Sequence, residues 1–242
     1  MHRRARAPVD SARRGTDHAG SVVVRPGSGQ AVPTDRTVRS EKGRVFSMPN
    51  SPHTVIVSGT LSTPSKTTAL GEAIGASLVE HHGGDVQTIE VAALTGEIGR
   101  SLITGHTTEV LQDAVRRIEH ADLLVAVSPV FKGSYSGLFK HLFDLVDPYA
   151  LTAKPVILGA TGGSQRHSLT VDYELRPLFT YFNANVSPIG VYATGDDFVD
   201  YQAVSTQLLQ RIDRAASTLA VGASAADGGL NRVPEAAAVA LG

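Results

Sequence analysis

The chain has 242 residues, with 22 Lys+Arg against 23 Asp+Glu for a formal net charge of −1, and no cysteine. That near-neutral balance argues against a nucleic-acid binder built on overall basic charge. The lack of cysteine excludes disulfide frameworks, thiolate zinc sites, iron–sulfur clusters and cysteine nucleophiles. No apolar run reaches the roughly 20 residues of a membrane span, so a cytoplasmic protein with no membrane partner is expected.

Charge is unevenly spread. Residues 1–47 hold ten Lys+Arg and four Asp+Glu and contain no Leu or Ile, whereas 48–242 hold 12 basic and 19 acidic residues. A segment with so little to bury cannot offset its ordering entropy, so 1–50 is expected to be a disordered basic extension. It lacks the apolar stretch of a secretory signal, and Asp10, Asp17, Asp35 and Glu41 count against a transit peptide. Two readings stay open: a basic arm for nucleic acid or an acidic partner, or an extension without function, with Met48 as the natural start. The Ala/Gly-rich residues 221–242 are expected to form a mobile tail. Residues 51–220 remain as one domain.

Within that domain the elements alternate. Thr54–Ser58 reads as a β-branched strand, followed by a loop (59–64) and a helix from the N-cap Ser65 to about Glu80, with Leu70, Ile74 and Leu78 on one face. Gly83-Gly84 ends it. Val86–Val91 reads as the second strand, and 92–105, with Gly96, Gly99 and Gly105, as loop. A helix over 107–120 leads to the apolar third strand, Leu123–Val127. The polar loop Ser128–Gly137 precedes an amphipathic helix over 138–146, whose wide apolar stripe suggests a face turned partly to another subunit. Pro155–Thr161 reads as the fourth strand, 168–183 as helix, Pro188–Ala193 as the fifth strand and 198–219 as the last helix. Five strands alternating with five helices predict a doubly wound α/β domain with a parallel sheet. In strand order 2-1-3-4-5, ligands bind beyond the carboxyl ends of strands one and three.

Three strand-to-helix loops meet there. The first offers the hydroxyls of Ser58, Thr60, Ser62, Thr63, Ser65 and Thr67, the charge of Lys66 and a helix N-terminus, which together suit an anion. It is not a Walker A loop, because Ser65 precedes Lys66 and Thr60 stands where a glycine is required. Only Gly59 represents the three spaced glycines of a dinucleotide fingerprint, so a terminal monophosphate fits better than a pyrophosphate. A plain Ser/Thr-rich turn with a helix cap is the alternative. The second loop, Pro129-Val130-Phe131-Lys132-Gly133-Ser134, has no carboxylate or nucleophile triad but offers successive backbone N–H groups and an aromatic ring. The third, Thr161-Gly162-Gly163-Ser164, adds backbone donors, with Arg166 and His167 beyond it as groups for a phosphate of a second ligand. His81-His82 are adjacent, cannot chelate one ion well, and read as an exposed helix end. No metal site is expected.

Two of these stretches carry a family resemblance. Ser58-Gly59-Thr60…Ser65-Lys66-Thr67 is similar to the phosphate loop of the NAD(P)H-dependent FMN reductases, which have a flavodoxin-like fold. Ser128 to Lys140 resembles that family's Pro-Val/Ile-Tyr-x-x-x-x-Ser-Gly-x-x-Lys stretch. The run Lys132…Ser134-Tyr135-Ser136-Gly137, together with 163–169 and 175–179, resembles the reductases of two-component systems, which feed reduced FMN to a separate, often luciferase-like, monooxygenase. The resemblance implies hydride transfer from NADPH or NADH to FMN, with the flavin carrying the chemistry and no catalytic side chain. It also implies that 58–67 hold the phosphate and that 129–134 and 161–164 hold the ring edges. A contact of Arg166 with the nicotinamide nucleotide, a homodimer or homotetramer, and a helix irregularity at Tyr135 near the subunit interface follow in the same way. Phe131, Thr60 and Lys66 replace the commoner Tyr, Ser and Arg of the family. The rival readings are a quinone, azo-dye or metal-ion reductase with tightly bound FMN, a flavodoxin-type electron carrier, and an interaction protein that keeps the fold without flavin.

Overall fold

A computed structural model describes residues 51–219; the expectations for the 1–50 extension and the 221–242 tail lie outside the described residues. The central sheet contains β1 (His53–Ser58), β2 (Asp85–Glu90), β3 (Leu123–Pro129) and β4 (Pro155–Gly162), in the order β2-β1-β3-β4. Two short strands, β5 (Asn185–Val186) and β6 (Val191–Thr194), share the outer edge of β4. Every pairing in this sheet is parallel, and β5 with β6 fills the fifth place of the expected 2-1-3-4-5 order.

Alternation along the strands divides the core between two faces. Val55, Val57, Leu124 and Ala126 face one side, where α2 (Val91–Thr104), α3 (Glu109–His120), α4 (Gly137–Asp144) and α5 (Arg176–Tyr181) pack. Ile56, Val125 and Val127 face the other, beneath α1 (Lys66–His82) and α6 (Thr206–Ser217). His81 and His82 stand at the end of α1, His81 exposed as expected, and also tie those two helices together through Asp213 (2.8 Å) and the Ala216 carbonyl (2.9 Å).

Four expectations need correction. Residues 92–105 are mostly helix, not loop: α2 starts directly after β2. Gly96 and Gly99 each cost about 1 kcal/mol of helix propensity, but Val91, Leu94 and Ile98 share one buried face and outweigh them. The fifth strand is broken, and Pro188 lies in the gap between β5 and β6. A proline offers no ladder N–H.

The last helix starts at Thr206, capped by Ser205, not at Phe198. Before it, β7 (Phe198–Val199) and β8 (Gln202–Ala203) form an antiparallel hairpin, and Val204 and Leu209 are exposed. Finally, Tyr135 is in no helix; it precedes Ser136, the N-cap of α4. The helical irregularity is instead a π turn at Val171–Leu175, leading into α5. Pro177 has no N–H for the Tyr173 carbonyl, which favours a widened turn there.

Candidate functional site

Loop one (59–65) and the start of α1 border an open depression of about 460 Å³, whose lining includes Thr60, Leu61, Ser62, Ser65, Lys66 and Thr67 together with Pro129, Phe131 and Tyr201. The loop is shaped by its own hydroxyls. Thr60 Oγ1 accepts from the Ser62 N–H (3.3 Å), and Ser65 Oγ accepts from the N–H groups of Thr67 (3.1 Å) and Thr68 (3.4 Å). Thr60 Oγ1 also donates to the Ser62 carbonyl (3.3 Å), whereas the Ser65 hydroxyl keeps a proton to donate to a ligand. Lys66 Nζ reaches over to the Gly195 carbonyl (3.1 Å) from an exposed position.

Ser58 stands apart from the others. It is fully buried, and its Oγ pairs with Thr68 Oγ1 (3.0 Å), which in turn donates to Glu90 Oε1 (3.0 Å). Its hydroxyl therefore braces β1 against α1 behind the loop.

Loop three (129–134, after β3) is a tight turn rather than an open cradle. Phe131 and Ser134 exchange both backbone hydrogen bonds (2.8 and 3.1 Å), with Lys132 and Gly133 at φ 52° and 90° between them. Two left-handed central residues make a type I′-like turn, and glycine at the second position meets that demand without strain. The Val130 N–H is also engaged, with the Thr161 carbonyl (2.8 Å). Among the described residues, the N–H groups of this loop with no such bond are those of Lys132 and Gly133, so the expected row of donors narrows to the turn tip. The half-exposed ring of Phe131 borders the depression.

The π turn supports this loop from behind. Ser134 Oγ donates to Glu174 Oε2 (2.8 Å), and Thr170 Oγ1 donates to the Gly133 carbonyl (3.4 Å). From the other side, Ser136 Oγ donates to the Gly59 carbonyl (2.8 Å), while Ser128 Oγ accepts the Ser136 N–H (3.1 Å). Ser128 and Ser136 thus join loop one to loop three, a role their sequence positions alone do not reveal.

Loop four (161–164, after β4) joins through Thr161, whose Oγ1 lies 2.6 Å from Thr67 Oγ1. Tyr192 of β6 donates to the Ser164 carbonyl (2.7 Å), and burial raises the pKa of this phenol, keeping the donor protonated. A side chain on Gly162 would put its Cβ 2.2 Å from the Tyr192 hydroxyl, so this close approach requires glycine. Gly163 is open to solvent, and Arg166 is exposed on a short 3₁₀ turn beyond the loop, outside the lining of the depression.

The three loops are joined by these hydrogen bonds, but Thr161 to Ser164 do not line the depression; Ser58 is turned inward, and Tyr201, at the tip of the β7–β8 hairpin, joins the lining. No motif marks it, because the hairpin was hidden under a helix-like pattern. Hydroxyls and a lysine at a helix N-terminus, beside an apolar ring and the tip of a glycine turn, fit a planar ligand that ends in a phosphate. The donor set contains no group of three or more His, Asp or Glu that could hold a metal ion among the described residues.

Known proteins similar to this chain point the same way. A family model described as NADPH-dependent FMN reductase matches residues 52–198. The NADH-dependent FMN reductase SfnF of Pseudomonas fluorescens is 45% identical over 166 residues, covering 69% of this chain and 89% of that protein. An FMN reductase (NADPH) of Pseudomonas aeruginosa is 46% identical over 166 residues, with the same coverage. The crystal structure of an oxidoreductase from Corynebacterium diphtheriae superposes with a TM-score of 0.64 at 38% identity, covering 70% of this chain and 94% of that one. The hydroxyl-rich loop, the glycine turn and these relatives converge on one conclusion: the chain belongs to the NADPH-dependent FMN reductase family, with a flavodoxin-like fold, and is an NAD(P)H:FMN oxidoreductase.

Proposed function

We propose that this reductase takes FMN as an exchangeable substrate and passes reduced FMN to a separate flavin-dependent monooxygenase. The observation that carries the reading is the openness of the depression: Leu61, Phe131 and Tyr201 on its rim are 46%, 49% and 44% exposed. Lys66 in place of arginine adds to it, because a point charge lacks the bidentate grip on a phosphate. Both features suit a flavin that arrives and leaves with each turnover.

In this reading Thr60, Ser65, Lys66 and Thr67 hold the phosphate, with Ser58 bracing them from behind. Pro129, Val130 and Phe131 form an apolar wall for the ring, and the backbone of Lys132, Gly133 and Ser134 turns beneath one edge. Thr161, Gly162, Gly163 and Ser164 meet the pyrimidine edge, where backbone donors favour the negative charge that builds up on reduction. Bound flavin supplies the hydride-accepting chemistry. The protein orients it and leaves one face for the nicotinamide, and Arg166, beyond the depression, is assigned to a phosphate of the nicotinamide nucleotide. The apolar hollow beside Tyr135, Phe143, Leu178 and Tyr181 supports a homodimer or homotetramer, with a mass measurement in solution as its check.

Steady-state NAD(P)H oxidation with and without added FMN tests the proposal. Activity should depend on added FMN and saturate with it. Full activity from the purified protein alone, with quinone as acceptor and no added flavin, would instead indicate a tightly held prosthetic group.

A further inference from the structure

The tip of the β7–β8 hairpin is Asp200-Tyr201, and both residues are left-handed, with φ of 45° and 61°. Turns of this form ordinarily carry Asn, Asp or Gly; a tyrosine there is strained and persists only where its surroundings hold it. The base of this hairpin is held firmly. Asp197 Oδ2 accepts from the Thr194 N–H (2.7 Å) and hydroxyl (3.0 Å), and its carbonyl accepts from the N–H groups of Val204 (2.9 Å) and Ser205 (3.4 Å). Phe198 is buried in the core beneath α1 and α6. The bond from Lys66 Nζ to the Gly195 carbonyl links the entry of the hairpin to the first turn of α1. At that strained tip Tyr201 shares the lining of the depression with Thr60, Ser65 and Lys66, the residues assigned above to the phosphate.

A flavin mononucleotide ends at its phosphate, whereas in a flavin adenine dinucleotide the chain continues from that phosphate into an adenylate. We propose that Tyr201 is a specificity-determining wall at the phosphate end: it leaves room for a terminal phosphomonoester and obstructs the path an adenylate would take. The inference rests on the reading of 58–67 as the phosphate loop. It explains why a bulky side chain stands in a turn where glycine would be unstrained.

The test is titration of FMN, FAD and riboflavin into the full chain, read by flavin fluorescence, with Tyr201→Gly and Tyr201→Phe alongside. Glycine accepts the left-handed turn, so Tyr201→Gly removes the wall and keeps the hairpin. The unaltered chain should favour FMN over FAD. Tyr201→Gly should narrow that ratio by about tenfold through tighter FAD binding, with FMN little changed, and Tyr201→Phe should keep the original ratio. Equal weakening of both flavins, no change in either, or equal affinity for both in the unaltered chain would overturn the proposal. Riboflavin separates the two levels. If FMN binds no tighter than riboflavin, the phosphate-loop reading fails and this inference with it; if FMN binds tighter but the ratio ignores Tyr201→Gly, only the role of Tyr201 fails.

Discussion

Ser65 does two jobs with one oxygen: it accepts from two amides of the first turn of α1 and faces the depression. Ser65→Ala should therefore cost about 1 kcal/mol of stability as a lost N-cap and weaken FMN about tenfold as a lost hydrogen bond to an anion. Thr108→Ala is the control. Thr108 caps α3 in the same manner, away from the three loops, so it should lose similar stability in urea unfolding with unchanged flavin affinity. Equal loss of FMN affinity in both variants would mean that Ser65 acts only through the helix. Gly162 makes the complementary point. Gly162→Ala should displace Tyr192, break its bond to the Ser164 carbonyl and cost about 1–3 kcal/mol as overpacking. Adding Tyr192→Phe should recover part of that cost, because it removes the oxygen nearest the new methyl group.

At the scale of elements, Lys154 at the entry to β4 ties the end of α3 to the sheet. Its ammonium donates to the carbonyls of Glu119 (2.8 Å), Ala121 (2.6 Å) and Ile118 (3.3 Å), where the helix C-terminus favours positive charge. Burial nevertheless pulls its pKa down to about 8, opposed by the nearby charges of Asp122 and Glu119. Between about pH 8 and 10.5 the unfolded chain thus binds more protons at this site than the folded one, and stability rises with pH through that window. Chemical unfolding of the protein and of Lys154→Met at pH 7.5 and 10 should show the difference between them shifting toward the unaltered protein by up to about 3 kcal/mol. A pH-independent difference would mean that the amine titrates alike in both states. Neither this contact nor the bracing by the π turn was legible in the sequence, because both join residues distant along the chain. What was legible is local. The cap at Ser65, the apolar run of β3 and the glycine at 133 each announce themselves within a few residues. The hairpin was missed because Val204, Leu208 and Ile212 share a helical spacing while the turn that ends it, Asp200-Tyr201, lacks the usual glycine.

The whole molecule carries an opposition of charge that the site must contend with. FMN and nicotinamide nucleotides are anions, yet residues 48–242 hold 12 basic against 19 acidic side chains. Lys66 and Lys132 bring local positive charge to the site, but the long-range field of that part of the chain repels both ligands. Residues 1–47, with ten basic and four acidic side chains, bring the full chain to a net charge of −1. All the lining residues of the depression fall between 60 and 201, so a chain starting at Met48 keeps every direct contact. Its equilibrium affinity for FMN at 0.5 M salt should match that of the full chain. At low ionic strength, where the Debye length reaches about 30 Å, its association rate in stopped-flow quenching should fall below that of the full chain, and added salt should close the gap. Equal rates at every ionic strength would show that the basic segment does not offset the field of the domain at the site. A loss of affinity that persists in high salt would show instead that residues 1–47 make a contact of their own with the bound flavin.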